Sequence, residues 1–308
     1  MITILMGTYN GEKFITEQIE SILCQTEDNW KLIIQDDCST DAMVSILQSY
    51  VTNYPHKITL IQREFPSGSA KNNFISMLKF AKSEYIMTCD QDDIWLPSKI
   101  ELTLKKMHES EGYYGKDKPL LVHTDLKIVD EKLEVIAESM FHYQSLDSKR
   151  DKFNNLLVQN IVTGCTIMFN RRLLEMVYSV PEESIMHDWW FALVAAAFGK
   201  IGFVNEPTIL YRQHSSNEVG AKNANSILYN IKRLSNKEQT KLTIQSTYNQ
   251  ATSFLRLYEK ELTEECLKIV NAYISIPDYG KLKRINILSE SDFWKTGLMR
   301  KCGQILLI

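Results

Sequence analysis

Three carboxylates stand within four residues at the end of an apolar run. Asp90, Asp92 and Asp93 follow a segment at 85–89 that is typical of a buried strand. Like charges at this spacing repel one another, and a divalent cation would relieve that repulsion. Hard oxygen ligands suit Mg²⁺ or Mn²⁺, and Mg²⁺ is commonly held by one or two carboxylates together with substrate phosphates. The triplet therefore indicates a metal site that receives a phosphorylated ligand; a solvated acidic turn that caps the next helix is the alternative.

A second acidic pair, Asp36 and Asp37, follows another apolar run. Both acidic groups belong to a region of about 110 residues in which strand and helix signals alternate. The strand signals cover 2–6, 31–35, 57–62 and 85–89, and Ser39 resembles an N-cap of the second helix. Repeated strand–helix units predict parallel strands with right-handed crossovers, hence an open α/β sheet. Ligands of such sheets bind beyond the carboxyl ends of the strands, which is where both acidic groups lie.

The pattern changes after about residue 119. Strands are predicted at 120–123, 127–129 and 165–169, and an apolar helix at 189–198. Beyond about 220 only helical patterns remain. A domain boundary is therefore expected near 218.

Composition excludes several classes of protein. The 308 residues are 44% hydrophobic and 24% charged with a net charge of −3, so no basic field points to nucleic acid. The N-terminal apolar run is short for a signal peptide and no window is long enough to span a bilayer, so a cytoplasmic location is expected. The six cysteines form no CxxC pair, which argues against zinc and disulfide frameworks. Phosphate-binding and nucleophile motifs of the GxxxxGK[ST], GxGxxG and GxSxG types are absent.

Five sequence blocks resemble glycosyltransferase family 2, whose members are inverting enzymes with a GT-A fold. The most similar branch is the bacterial rhamnosyltransferase type, which builds cell-surface polysaccharides. The blocks are TYNGEKFITEQIESILCQT at 8–26, IIQDDCSTD at 33–41, CDQDDIWLPSKI at 89–100, HDWW at 187–190 and, more weakly, YRQHSSN at 211–217. The resemblance implies a GT-A type open mixed sheet, mostly parallel and flanked by helices, in a catalytic domain at 1–218. Its donor half would be 1–110 and its acceptor half 111–218, with a helical appendage at 219–308.

The resemblance also implies a nucleotide-sugar site. The residues implied for donor binding are Thr8, Tyr9, Asp36, Asp37, Lys71, Asp90 and Asp92. Tyr9 would lie against the base, and Asp37, with Asp36 less surely, would accept a hydrogen bond from it. A carboxylate suits the imide N–H of uracil or thymine, so a UDP- or dTDP-sugar is expected.

The metal, the base and the acceptor site are implied in the same way. Mn²⁺ or Mg²⁺ would be bound by Asp92, Asp93 and His214, and the alignment leaves open which carboxylate of the triplet is the ligand. Asp188 matches the catalytic base of the family, and the alternative is that it only caps the helix that begins there. For His214 the alternative is an exposed loop histidine without a role in the site. Weaker acceptor candidates are Trp95, Gly164, His187, Trp189 and Trp190; a core position is the favoured alternative for Trp95 and Trp190, and a turn glycine is the favoured alternative for Gly164.

The implied reaction is the metal-dependent transfer of one sugar, with dTDP-L-rhamnose as the first donor, to a glycan or polyprenyl-linked acceptor. The processive QxxRW block is absent, which favours single-sugar addition. A UDP-galactose or other UDP-hexose transferase of the same fold, and a non-catalytic sugar-nucleotide-binding module, are the alternatives.

The last sixteen residues form a distinct segment. Aromatic and basic residues mix at 293–301, and 305–308 is apolar. This composition is typical of a peripheral segment on the inner face of a membrane. A helix packed on the catalytic domain, or on a second subunit in a homodimer, is an equally supported alternative.

Overall fold

The computed structural model of the chain describes residues 1–177, 179–214, 220 and 237–308. The chain forms two compact units. The first contains Met1–Met140, Val162–Ser179 and Lys200–Ala221, and the second contains Phe141–Ile161, Val180–Gly199 and Lys222–Ile308. The predicted boundary near 218 lies outside the described residues. Two segments from the middle of the sequence thus belong to the same unit as the C-terminal helices.

The first unit is built on a sheet that has nine strands among the described residues. The strands are β1 (Ile2–Thr8), β2 (Trp30–Asp36), β3 (Ile58–Gln62), β4 (Tyr85–Cys89), β5 (Ile94–Trp95), β6 (Leu120–Val129), β7 (Val135–Ala137), β8 (Met168–Asn170) and β9 (Lys200–Arg212). Their order is β3-β2-β1-β4-β8-β6-β9-β5, with β7 paired to β6.

Helices connect these strands and make up most of the second unit. They are α1 (Ile15–Leu23), α2 (Met43–Asn53), α3 (Ala70–Met77), α4 (Lys99–Tyr114), α5 (Met140–Tyr143), α6 (Phe153–Val158), α7 (Arg171–Met176), α8 (His187–Phe198), α9 (Lys237–Tyr258), α10 (Glu264–Ile274), α11 (Lys281–Glu290) and α12 (Leu298–Leu307). No helix within the described ranges is long and apolar enough to cross a bilayer.

The predicted open α/β sheet is confirmed. Strands β1 to β4 pair in parallel, whereas β8 runs antiparallel to both β4 and β6. Continuous apolar runs form the inner strands because helices cover both faces of the sheet, and Ile4, Leu5 and Met87 are fully buried. This arrangement brings the carboxyl ends of β1, β2 and β4 to one edge.

Three local expectations from the sequence are wrong. Ser39 does not cap α2, which begins at Met43; its hydroxyl donates instead to Asp36 Oδ1 at 2.6 Å. The segment predicted as a strand at 165–169 begins as a 3₁₀ turn over Gly164–Thr166, and only Met168–Asn170 pairs with the sheet. The two strands predicted at 120–123 and 127–129 are one continuous strand, β6.

The second unit has an aromatic core. Helix α8 is apolar on nearly every side, as expected of a helix that other elements surround. Trp190 is fully buried and packs edge-to-face on Phe254 of α9 at 5.4 Å between ring centroids, with Tyr258 at 6.1 Å. The C-terminal helices therefore supply the partners that the apolar α8 requires.

Candidate active site

The acidic triplet lies where β4 ends, beside the ends of β1 and β2. Asp90 is partly exposed, Asp92 is nearly buried, and Asp93 is fully buried. The three neighbouring carboxylates therefore have different surroundings.

Asp92 forms a pair with a histidine from a distant part of the chain. Its Oδ2 lies 2.8 Å from His214 Nε2, and both side chains are about nine-tenths buried. The Phe14 ring stacks on the His214 imidazole with centroids 4.8 Å apart. A carboxylate oxygen and an imidazole nitrogen, both held in place, form a donor set that Mn²⁺ accepts. The structure brings these two residues into contact, and their role as metal ligands stays a prediction.

Asp93 has different neighbours from Asp92. Its carboxylate, that of Asp90 and the Cys165 thiol form a group whose ligand atoms all lie within 4.8 Å of one another. Burial raises the pKa of Asp93 well above its usual range, and the charges of Asp92 and Asp90 raise it further. Burial also raises the pKa of the Cys165 thiol. A bound cation would favour the deprotonated forms of these groups, and the role of Asp93 as a metal ligand stays a prediction.

One buried arginine, which the sequence analysis did not single out, holds the triplet loop in place. The Arg212 backbone N–H donates to Asp93 Oδ1 at 3.1 Å, and its Nε donates to the Asp92 carbonyl at 2.9 Å. Its guanidinium also bonds the Glu17 carboxylate and lies over the Phe14 ring at 4.8 Å. Arginine suits this position because its planar group offers five donors in fixed directions. The only sequence signal was its place two residues before His214.

The residue between the first two acids fixes the adjacent turn. Gln91 Oε1 accepts the Tyr9 backbone N–H at 2.8 Å, and Gln91 Nε2 donates to the Tyr9 carbonyl at 3.0 Å. A Cβ at Gly11 would lie 2.5 Å from the Gln91 carboxamide, so position 11 cannot carry a side chain without displacing this clamp. The Tyr9 side chain is 56% exposed and is free to meet a ligand. Gly11, in the block at 8–26, is the sequence signal that could have indicated this clamp.

Asp36 and Asp37 are both engaged by the protein. Asp36 Oδ1 accepts the Thr8 hydroxyl at 3.1 Å, and Asp36 Oδ2 accepts the Ser39 backbone N–H at 2.9 Å. Asp37 accepts the backbone N–H and the hydroxyl of Ser67, each at 2.6 Å, and pairs with Arg63 at 3.2 Å. Asp36 therefore orders the ends of β1 and β2, and Asp37 ties β2 to the loop before α3.

Lys71 lies in the first turn of α3, which the Ser69 hydroxyl caps by accepting the Asn72 N–H at 3.2 Å. It is partly exposed. Its predicted role in donor binding stays a prediction.

Asp188 belongs to the second unit, in the first turn of α8. Its Oδ1 accepts the Trp189 backbone N–H at 2.6 Å, and the Trp189 indole N–H donates to the Leu156 carbonyl at 2.6 Å. The segment before α8 is held by α9, because Gln250 Oε1 accepts the Ile185 N–H at 2.8 Å. The C-terminal helices thus position the segment that presents Asp188, a contribution that the sequence analysis did not anticipate.

Burial corrects part of the acceptor prediction. Trp95 is 2% exposed and Trp190 is fully buried, so neither ring face can stack on a sugar. His187 is also buried, and burial lowers its pKa to about 3, so that it stays neutral at ordinary pH. Gly164 lies in a 3₁₀ turn whose carbonyl accepts the Thr88 hydroxyl at 2.5 Å, and Trp189 is partly exposed. For these last two residues the acceptor role stays a prediction.

Comparison with known proteins places this arrangement among enzymes of sugar transfer. The model of the family described as glycosyl transferase family 2 matches residues 3–177. The chain is 28% identical over 228 residues to the dTDP-rhamnosyl transferase RfbG of Shigella flexneri, covering 70% of this chain and 74% of RfbG. It is 27% identical over 175 residues to WfgD of Escherichia coli, a UDP-Glc:alpha-D-GlcNAc-diphosphoundecaprenol beta-1,3-glucosyltransferase, covering 56% of this chain and 62% of WfgD.

Solved structures confirm the GT-A type fold. The crystal structure of S. aureus TarS superposes with a TM-score of 0.59 at 18% identity, covering 94% of this chain and 48% of TarS. The structure of TarS 1–349 in complex with UDP-GlcNAc gives 0.56 at 16% identity, covering 99% of this chain and 90% of that fragment. At these identities the likeness shows the fold alone.

Proposed function

From the premise that the chain belongs to glycosyl transferase family 2 and is a glycosyltransferase, we propose that it transfers one sugar from a dTDP- or UDP-sugar with inversion. The first donor to consider is dTDP-L-rhamnose, and the acceptor is a glycan or a polyprenyl-linked glycan in the synthesis of a cell-surface polysaccharide. The observation that carries the proposal is the Asp92–His214 pair, held beside Asp90 at the carboxyl edge of the parallel strands.

The donor diphosphate would bind at this edge. Asp92 and His214, with Asp90 nearby, would hold Mn²⁺ or Mg²⁺, which stabilises the negative charge of the leaving diphosphate when it is bound. Arg212 keeps the Asp92 backbone in place, so the carboxylate does not have to reorganise as charge develops. The exposed Tyr9 ring, fixed through its backbone by Gln91, would stack on the nucleotide base.

The acceptor hydroxyl would lose its proton to Asp188. A single displacement requires a base that is ionised when the acceptor binds. A carboxylate in the first turn of a helix is stabilised in its charged form by about 0.3–1 kcal/mol. Asp188 occupies such a position, since it lies in the first turn of α8 and accepts a backbone N–H. General base catalysis contributes on the order of 10²–10⁴-fold to such a step.

The choice of donor rests on the relatives. RfbG is named for dTDP-rhamnosyl transfer, whereas WfgD is named for UDP-Glc. Thymine and uracil present the same imide N–H, so a carboxylate acceptor at Asp37 would accept either base. A UDP-hexose transferase of the same fold is therefore the second candidate function, and WfgD is the relative that favours it.

The nucleotide preference gives a direct test of the donor site. With Mn²⁺ present, dTDP or UDP should raise the melting temperature more than GDP or ADP, and a ligand at ~100 times its Kd adds about 2.7 kcal/mol of stability. Tyr9→Ala should weaken dTDP and UDP binding by about 5- to 150-fold, because base–aromatic stacking contributes ~1–3 kcal/mol.

Tyr113→Ala is the matched control, since Tyr113 is 81% exposed on α4 of the same unit. Stronger stabilisation by GDP, or equal losses in the two variants, would contradict the proposed base site.

A further inference from the structure

Helix α12 turns its apolar face outward. Leu298 is 77% exposed, Met299 51% and Leu306 63%, and Cys302 is exposed as well. At about 100° per residue these four positions fall within one sector of about 100° on the helix. Most surface helices bury such a stripe, so its exposure marks a contact surface.

The opposite face of α12 is polar and fixes the orientation of the helix. Gln304 is 7% exposed; its Oε1 accepts the Lys295 backbone N–H at 3.1 Å and its Nε2 donates to the Phe293 carbonyl at 2.8 Å. Arg300 donates to the Thr296 hydroxyl at 3.3 Å and to the Ser145 carbonyl at 3.4 Å. Rotating α12 to bury its leucines would break these bonds and leave buried polar groups unpaired, so the outward apolar face belongs to the folded structure.

The surrounding segment is strongly basic. Residues 281–308 contain six cationic and two anionic side chains, whereas the whole chain carries a net charge of −3. The cations are Lys281, Lys283, Arg284, Lys295, Arg300 and Lys301, and the anions are Glu290 and Asp292. On α12 itself Lys301 lies next to the apolar stripe at about 100° per residue, and Trp294 lies partly exposed in the approach to the helix.

We propose that α12 docks on an anionic lipid surface, with its apolar stripe inserted at the level of the head groups. An interfacial helix combines an apolar face with flanking Lys and Arg, and anionic lipids attract such segments. A second copy of the chain fits less well, because α12 carries two cations and no acid that could pair with them across a symmetric α12–α12 contact. The proposal does not depend on the identity of the sugar donor.

Flotation of the full chain with vesicles tests this proposal. The protein should float with vesicles of phosphatidylcholine containing ~30% phosphatidylglycerol, and at least tenfold less with phosphatidylcholine alone or at 0.5 M salt, because charge screening weakens the attraction. The double variant Leu298→Glu/Leu306→Glu should reduce flotation by tenfold or more.

The matched control is Leu242→Glu/Leu257→Glu, which places the same charges at two exposed leucines of α9 in the same unit. It should float like the wild type, and thermal melting of each variant verifies folding. Wild-type protein that fails to float, or equal flotation of the two double variants, would overturn the proposal. So would a dimer in size-exclusion chromatography with light scattering that only the α12 variant dissociates, since a second copy would then cover the stripe.

Discussion

Replacing Asp188 with asparagine should lower the turnover number by two orders of magnitude or more while leaving the affinity for dTDP or UDP nearly unchanged. The substitution keeps the shape of the side chain and its contact with the Trp189 N–H, but removes its basicity. A group that acts only in the transition state changes turnover and not ground-state binding. Steady-state kinetics at saturating donor, with nucleotide affinity measured by calorimetry, separate the two quantities.

Glu265→Gln provides the matched control, because Glu265 is also an acid in the first turn of a helix of the second unit, α10. It should leave turnover within about twofold of the wild type. If Asp188→Asn instead abolished nucleotide binding and kept turnover at saturating donor, Asp188 would belong to the donor site and another acid would be the base.

Replacing Asp92 with asparagine should have a large effect of a different kind. Nucleoside diphosphate affinity in the presence of Mn²⁺ should fall by tenfold or more, whereas affinity in EDTA should hardly change, because the variant removes a ligand of the ion and not a contact with the base. His214→Gln should act in the same direction. The double variant should lose little more than either single variant, since the two side chains form one pair at 2.8 Å.

Asp28→Asn, at an exposed acid of the same unit, controls for the loss of one negative charge. Calorimetric titration with and without Mn²⁺ gives both affinities for each variant. Equal affinities for wild type and Asp92→Asn in Mn²⁺, or full activity of the wild type in EDTA, would remove Asp92 from the metal site.

The edge of the sheet could be predicted from the sequence, since it follows from local patterns. The residues of β1 and β4 are buried almost throughout, and the two acidic groups lie at the ends of β2 and β4. The alternation of strands and helices predicts parallel pairing, so the acidic residues at the ends of β2 and β4 were expected at the same edge of the sheet.

The division of roles within the triplet could not be predicted. It depends on the antiparallel pairing of β5 with β9, in which Ile94 lies opposite Leu210 and Trp95 opposite Ile209. That register brings Arg212 and His214 to the loop from about 120 residues away, and no local pattern reports it. The burial of Trp95 and Trp190 likewise depends on partners that are distant in the sequence.

The measurement that tests the central claim most directly is nuclear magnetic resonance of the wild-type protein turning over a donor. The protein is mixed with Mn²⁺ and dTDP-L-rhamnose or a UDP-hexose, and the sugar released to water or to an added glycan is observed before its anomers equilibrate. An inverting glycosyltransferase releases the nucleoside diphosphate, and the first sugar product has the anomeric configuration opposite to that of the donor. Retained configuration, or binding of both donor classes without release of either nucleotide, would contradict the proposed reaction.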